Sequence, residues 1–105
     1  MTFNEYQEFV ASIKRYPTEY KMLYPTLGLC GEAGEVAEKV KKHIRDGAKE
    51  NFKETITKEL GDVLWYLSAL AGDLDITLQE VADTNKQKLE DRLQRNKLHG
   101  EGDNR

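Results

Sequence analysis

The fold is decided by two stretches of sequence, GEAGEVAEKVKKHI at residues 31–44 and KELGDVLWYLSALA at residues 58–71. Each carries two acidic residues three positions apart, Glu32 and Glu35 in the first and Glu59 and Asp62 in the second. Residues at i and i+3 face the same way on an α-helix. At about 100° per residue, each acidic pair lies on the same side of an apolar arc. We therefore predict two helices that pack by their apolar arcs and hold carboxylates at the rim of the core.

These carboxylates point to a divalent metal. Antiparallel packing of the two helices would gather four negative charges in a small volume, which is unfavourable unless cations neutralise them. Oxygen ligands without a neighbouring Cys or a pair of His favour Mg²⁺, with Mn²⁺ as a substitute, over zinc. Gly34 and Gly61 lie inside the acidic turns and suggest close approach of a backbone or a ligand, although tight helix packing would also explain them.

Two other interpretations of the acidic residues remain open. A solvated helix face is the commonest setting for Glu, but such a face need not border the core. A carboxylate-bridged iron protein would use Glu-x-x-His on facing helices. The residues three after Glu35 and Glu59 are Glu38 and Asp62, so redox-active iron ranks low.

Caps and helix breakers define the other elements. Thr2 with Glu5 matches a capping box, and Pro17 is expected to end the first helix. Further helices are predicted from after residue 25 to about 46, from about 52 to 74 and from about 77 to 96. Residues 98–105 have glycines and charge but no periodicity, so an irregular tail is expected. The predicted fold is all-α, a bundle of about four helices per chain.

Composition limits the classes of function. A chain of 105 residues with 38% hydrophobic residues is one domain, and its small core makes partner subunits plausible. A net charge of −3 with interspersed basic residues argues against binding a nucleic-acid polymer. No apolar run approaches the roughly 20 residues of a membrane span, and the N-terminus does not resemble a signal peptide. We therefore expect a cytoplasmic protein without a membrane partner.

The predicted fourth helix carries a second set of polar residues. Asn85 and Arg92 interrupt its apolar stripe, and Lys88 lies on the flank. An amide with two cations suits a phosphate or the edge of a nucleotide. Equally, the heads of Lys88 and Arg92 would extend to water or pair with the acidic helices. The spacing does not choose between these interpretations.

Two residues near the carboxylates have a functional and a structural interpretation. Tyr66 points between the directions of Glu59 and Asp62, so its hydroxyl could bond to a carboxylate, a metal-bound water or a substrate oxygen, but core packing explains it as well. Lys39, four residues after Glu35, has the spacing of an ion pair within a helix.

The acidic pattern resembles the signature of the MazG-like, all-α nucleoside triphosphate pyrophosphohydrolases. LGLCGEAGEVAEKVKK and KELGDVLWYLSALA are similar to that family's two metal-binding helices, and NKQKLEDR followed by HGEGDNR resembles its C-terminal segment in many small members. The resemblance covers about residues 20–105. It implies a single MazG-like helical domain over residues 1–97, with residues 98–105 as a polar tail.

The resemblance also implies an activity and its residues. The reaction is hydrolysis of an NTP or dNTP to the monophosphate and pyrophosphate, with cleaning of the nucleotide pool as a role. Mg²⁺ would be held by the four paired carboxylates, in a four-helix bundle completed within a homodimer or homotetramer. Asn85 and Lys88 match positions that contact nucleotide in relatives, and Arg92 matches less closely. Independently of the resemblance, Glu38, one turn beyond Glu35, is a candidate to orient or deprotonate the attacking water, or to act only indirectly because it points partly toward the polar side of its helix. The alternative is a noncatalytic helical oligomer that binds nucleotide or a protein partner.

Overall fold

The computed structural model describes residues 1–47, 50–96 and 100–103, and its elements confirm the all-α prediction. The four α-helices are α1 (Phe3–Ile13), α2 (Leu23–Asp46), α3 (Phe52–Asp73) and α4 (Leu78–Gln94). A short 3₁₀ helix, Thr18–Tyr20, lies between α1 and α2. Within the described ranges the chain forms no β-strand.

Side-chain caps fix the starts of two helices. The predicted capping box at α1 is present, with Thr2 and Glu5 exchanging hydrogen bonds. A second box, formed by Thr77 and Glu80, starts α4. At the end of α2, Gly47 adopts a φ of 87°, a conformation that glycine takes at little cost.

The prolines act differently from the prediction. α1 ends at Ile13, before Pro17, and the 3₁₀ helix after Pro17 was not predicted. α2 begins at Leu23, so Pro25 lies buried inside its first turn and not before it. Proline is tolerated there because the first amide groups of a helix have no intrahelical acceptor. The bounds of α3 and α4 lie within two residues of those predicted.

Helices α2 and α3 form an antiparallel hairpin. Near their connection, the rings of His43 and Phe52 stack with centroids 3.7 Å apart. At the other end, Gly28 of α2 lies against the Tyr66 ring of α3, so closely that a Cβ on Gly28 would overlap the ring. Later residues of α2 therefore contact earlier residues of α3, so the two helices are antiparallel. This confirms that the two acidic segments face each other.

The best-buried part of the chain is the junction of α1, α3 and α4. The Gln7 side chain donates to the carbonyl oxygen of Ile76 at 2.8 Å and accepts from the amide of Leu78 at 2.9 Å. One side chain of α1 thus fixes the turn between α3 and α4. The buried hydrophobic residues among those described all belong to this junction, namely Val10, Ala69, Ala71 and Leu78.

A buried carboxylate ties this junction to the start of α2. Asp73 has no exposed side-chain surface and accepts bonds from Lys14 Nζ at 2.8 Å, the Tyr16 hydroxyl at 2.7 Å and the Met22 amide at 3.0 Å. Burial alone would raise the pKa of Asp73, but the bonds from Lys14, Met22 and Tyr16 hold that pKa below its usual value. The loop between α1 and α2 is thereby anchored to the end of α3.

The hairpin is far less covered than the junction. Among the described helices, α2 packs extensively only on α3, and large apolar side chains on both helices remain exposed, namely Leu27, Val40, Ile44 and Leu60. The chain exposes 7971 Å², whereas a folded monomer of 12.1 kDa exposes about 6,000 Å². Its radius of gyration is 16.6 Å, against about 13 Å for a compact domain of this length. A single copy therefore leaves much apolar surface without a partner.

The C-terminal segment lies partly outside the described residues. Residues 100–103 are not helical, and they contact α4. Residues 97–99, 104 and 105 of the predicted tail, which include the boundary expected at residue 97, are outside the described ranges.

Candidate metal centre

Three of the four predicted carboxylates meet on the hairpin. Glu32 of α2 and Glu59 and Asp62 of α3 each offer an oxygen, and these oxygens lie within 4.8 Å of one another. Glu32 and Glu59 are half-buried, whereas Asp62 is exposed. The carboxylates therefore occupy the rim of the helix contact, where helical spacing predicted them.

Glu35, the fourth predicted ligand, lies beside this trio but does not belong to it. It is exposed on the next turn of α2, and its charge still acts on Glu32. Partial burial, followed by the charges of Asp62, Glu59 and Glu35, raises the pKa of Glu32. A cation between the carboxylates would relieve that repulsion.

The geometry of the trio fits a hard divalent cation. Two oxygens bound to one Mg²⁺ at about 2.1 Å are at most about 4.2 Å apart. Because the three carboxylate oxygens lie within 4.8 Å of one another, a small inward movement of the side chains would let them bind one ion. The donor set contains only carboxylate oxygens, which suits Mg²⁺ or Mn²⁺ better than zinc.

Two tyrosines flank the carboxylates. Burial raises the pKa of the Tyr66 hydroxyl, and the charges of Glu32 and Asp62 raise it further. Burial and Asp62 do the same to Tyr6 of α1, which the sequence did not mark because its register is set only by the fold. Both phenols stay protonated, so they can donate hydrogen bonds toward the site.

Glycine makes the close packing of Tyr66 possible, but not at the predicted positions. Space for its ring comes from Gly28, one turn before Glu32. Gly34 and Gly61 have no described atom within 4 Å of an added Cβ. The close approach suggested for those two glycines is therefore absent within one chain.

Glu38, predicted to handle the attacking water, has a partner of its own. Its carboxylate lies 2.9 Å from Lys41 Nζ, and this hydrogen bond and charge hold the pKa of Glu38 below its usual value. Glu38 is not one of the three clustered carboxylates. Its catalytic role stays a prediction.

The polar residues of α4 separate into two settings. Asn85, which was expected to interrupt a buried stripe, is exposed. With Lys88 it lines an open groove of about 640 Å³ that Phe3 of α1 and Leu64 of α3 also line. A smaller hollow continues from Phe3 and Leu64 to Tyr6. The groove thus leads from Asn85 and Lys88 of α4 toward Tyr6, whose pKa is raised by burial and by the charge of Asp62.

Arg92 has a different setting. Only 3% of its surface is exposed, and it donates to the carbonyl oxygens of Gly102 and Asp103. The Asp103 carboxylate lies 3.4 Å from Arg92 and 3.2 Å from Lys88, and these two cations lower its pKa, with Lys88 contributing most. Arg92 therefore neither extends into water nor pairs with the acidic helices. It anchors the C-terminal segment.

Among the described residues, no helix combines the length and the apolar character that crossing a bilayer requires.

Known proteins resemble this chain over the region that contains the site. A model of the MazG nucleotide pyrophosphohydrolase domain matches residues 22–96, which include the four paired carboxylates and Asn85, Lys88 and Arg92. The Gene 37 protein of Mycobacterium phage L5 is 48% identical over 86 residues, covering 78% of this chain and 75% of that relative. No solved structure matches the chain. The helical hairpin, its facing acidic pairs and these similarities show that the chain belongs to the MazG nucleotide pyrophosphohydrolase family.

Proposed function

We propose that this chain is a Mg²⁺-dependent nucleoside triphosphate pyrophosphohydrolase that converts an NTP or dNTP to the monophosphate and pyrophosphate. The observation that carries the proposal is the meeting of Glu32, Glu59 and Asp62 within a chain that matches the MazG domain. Glu35, on the adjacent turn, would join these ligands after rotation of its side chain. A bound Mg²⁺, or Mn²⁺ in its place, would neutralise phosphate oxygens and lower the pKa of a bound water.

The chain's own residues would orient the reaction. Water attacks the α-phosphorus in line, the bond from that phosphorus to the bridging oxygen breaks, and pyrophosphate leaves with the electron pair. Glu38 would orient the water or accept its proton once it releases Lys41. The Tyr66 hydroxyl would donate to Glu32, Asp62 or a substrate oxygen.

The groove on α4 would hold the nucleotide. Asn85 and Lys88 line it, and Lys88 would exchange Asp103 for a phosphate oxygen. Arg92 would affect nucleotide binding indirectly, because its buried guanidinium holds in place the segment that carries Asp103. Cytoplasmic localisation and a role in nucleotide-pool cleaning follow from this activity as further parts of the proposal.

We also propose that the site is completed by a second copy of the chain, in a homodimer or a homotetramer. A two-helix hairpin cannot bury its own apolar arcs. The uncovered apolar residues of α2 and α3, together with about 2,000 Å² of surface beyond that of a compact monomer, support pairing of two hairpins as a four-helix bundle. In this assembly, residues 1–97 are one domain. Sedimentation equilibrium of the purified chain measures the state directly.

A nucleotide panel tests the proposed reaction. The purified protein is incubated with the common NTPs and dNTPs in the presence of Mg²⁺, and the products are separated by chromatography. Monophosphate and pyrophosphate in equal amounts are expected, and activity should vanish with EDTA and return with Mg²⁺. Diphosphate and phosphate as products, or no turnover of any nucleotide, would overturn the proposal. Binding without turnover would favour the noncatalytic oligomer.

A further inference from the structure

A small cavity lies at the connected end of the hairpin, away from the carboxylates. Its volume is about 210 Å³. One wall is formed by the last turns of α2 and the other by the first turn of α3 and its cap. The lining residues are Lys39, Lys42, His43, Asn51, Phe52 and Thr55. This lining contains two lysines and no acidic residue.

The two lysines of this cavity have no close ion-pair partner among the described residues, although the charge of Lys42 contributes to lowering the pKa of Glu38. Lys39 and Lys42 form no ion pair with any residue that the structure describes, and the pair expected between Lys39 and Glu35 is absent. The nearby Glu38 pairs with Lys41 instead. The Nδ1 atom of His43 is buried and has no hydrogen-bond partner among the described residues, while its ring is fixed against Phe52. The cavity therefore offers two lysine charges without close ion pairs and one buried histidine nitrogen without a described hydrogen-bond partner.

The start of α3 adds to this positive potential. The Asn51 side chain makes no capping bond, so it leaves first-turn amide groups of α3 without a side-chain acceptor. Helix N-termini favour anions. Glu54 in the same first turn lies beside Lys58 and does not line the cavity, so the two lysines and the first-turn amide groups favour a negatively charged ligand there.

The cavity shares a face of the hairpin with the carboxylates. Lys39 is seven residues after Glu32, which is two turns, or about 10 Å, along the same side of α2. Thr55 is four residues before Glu59, about 6 Å along the same side of α3. Because the helices are antiparallel, both displacements run toward the connection. Side chains of helical residues lean toward the N-terminus, which directs Lys39 back toward the carboxylates.

We propose that this cavity binds the terminal phosphates of the nucleoside triphosphate, and the pyrophosphate formed from them, with Lys39 as the main contact. The inference rests on the hydrolysis proposed above. A triphosphate whose α-phosphate lies at Glu32, Glu59 and Asp62 extends its other phosphates along this face toward the connection. Lys39, supported by Lys42 and His43, neutralises the charge that the leaving pyrophosphate gains as its bond to the α-phosphorus breaks. One face then joins a metal-binding acidic end to a basic end that receives the leaving group.

Product inhibition tests the inference. The inhibition constants of pyrophosphate and of the nucleoside monophosphate are measured for wild type and Lys39→Gln at fixed Mg²⁺. We expect the constant for pyrophosphate to rise at least about tenfold in the variant, the loss expected for a charge-assisted bond, while the constant for the monophosphate stays unchanged. The control is Lys58→Gln, which removes the same charge beside Glu59 from a side chain that does not line the cavity. An equal rise in both variants would indicate a general charge effect and would overturn the inference.

Two further readouts separate this inference from the proposed activity. Pyrophosphate should compete with the nucleotide, and inhibition that saturating nucleotide cannot relieve would place the anion in a separate site and overturn the proposal.

In NMR spectra, pyrophosphate with Mg²⁺ should shift the imidazole signals of His43 in wild type but not in Lys39→Gln. A wild type that hydrolyses nucleotides while Lys39→Gln keeps both its pyrophosphate constant and the His43 shift would refute the cavity alone. A wild type without turnover would refute the proposed activity, and the His43 shift would still decide whether the cavity binds pyrophosphate.

Discussion

The α1–α3–α4 junction and the α2–α3 hairpin differ in how completely they are buried and in how well their charged groups are paired. The junction buries its apolar side chains and pairs the polar groups of Gln7 and Asp73, although the buried Ser68 hydroxyl has no hydrogen-bond partner among the described residues. The hairpin leaves its apolar arc exposed and crowds carboxylates together at one edge. The junction therefore supplies stability within one chain. The hairpin instead gathers mutually repelling carboxylates, and part of its apolar surface stays uncovered within one chain.

The largest effect should come from removing a clustered carboxylate. Glu59→Gln keeps the size of the side chain but removes a negative ligand, so turnover should fall at least about 100-fold. Folding should be unaffected, because the substitution also relieves repulsion within the cluster. Initial rates at saturating Mg²⁺ and circular dichroism measure the two quantities. Glu54→Gln, on the exposed face of the same helix, is the control, and turnover of Glu59→Gln within tenfold of wild type would remove Glu59 from the site.

The opposite result is expected at the junction. Asp73→Asn leaves Lys14 without its buried partner and weakens the bonds to Tyr16 and Met22, which should lower the free energy of unfolding by about 3 kcal/mol. Urea denaturation measures this change. Asp75→Asn is the matched control because its left-handed backbone, with φ of 58°, is one that Asn also adopts. Equal stability of the two variants would show that the Asp73 network is not what anchors the loop.

The exposed arc of the hairpin can be tested by adding charge. If a second hairpin covers Leu60, Leu60→Glu should weaken self-association at least about tenfold, since burying a leucine contributes about 1.5–3 kcal/mol. Lys58→Glu, which points away from the arc, should change association little. Sedimentation equilibrium gives both constants. A wild-type chain that stays monomeric at high concentration would show that the arc is exposed in solution.

A pair of glycines on one helix tests the packing around Tyr66. Gly28→Ala would force the Tyr66 ring away and should cost about 1–3 kcal/mol of folding free energy. Gly31→Ala meets no described atom within 4 Å and should stabilise α2 by about 1 kcal/mol. Thermal and urea unfolding of the two variants measure the difference. The same sign for both substitutions would contradict the close packing at Gly28.

The smallest effect is on the pH dependence of the junction. The pKa of Asp73 is lower in the folded chain than in the unfolded chain, where it is about 3.9. Its contribution to stability is therefore complete above that value and is lost as pH falls through the folded pKa. The stability difference between wild type and Asp73→Asn should be constant from pH 5 to 7 and should narrow below about pH 4. Urea titrations of both proteins at several pH values measure this stability difference. A difference that grows as the pH falls would contradict a lowered pKa for Asp73.

Local rules predicted the helices well and the loops poorly. The capping box of Thr2 and Glu5 and the stop at Gly47 depend on neighbours in sequence, so they could be predicted. Pro25 was placed before α2 and not inside its first turn, because both positions satisfy proline. The setting of Arg92 could not be predicted, since its acceptors are ten and eleven residues away in a segment without periodicity.

The sequence by itself determined the all-α class and the two acidic helices, because helical spacing and capping are properties of neighbouring residues. Its similarity to the MazG domain and to a phage relative determined the family. Only the tertiary structure decided that Glu32, Glu59 and Asp62 form the closest set while Glu35 lies beside it, because the register between two helices depends on how their side chains pack. The tertiary structure also assigned Arg92 to the C-terminal segment and brought Tyr6 near Asp62. These contacts join residues far apart in the chain, and no local pattern encodes them.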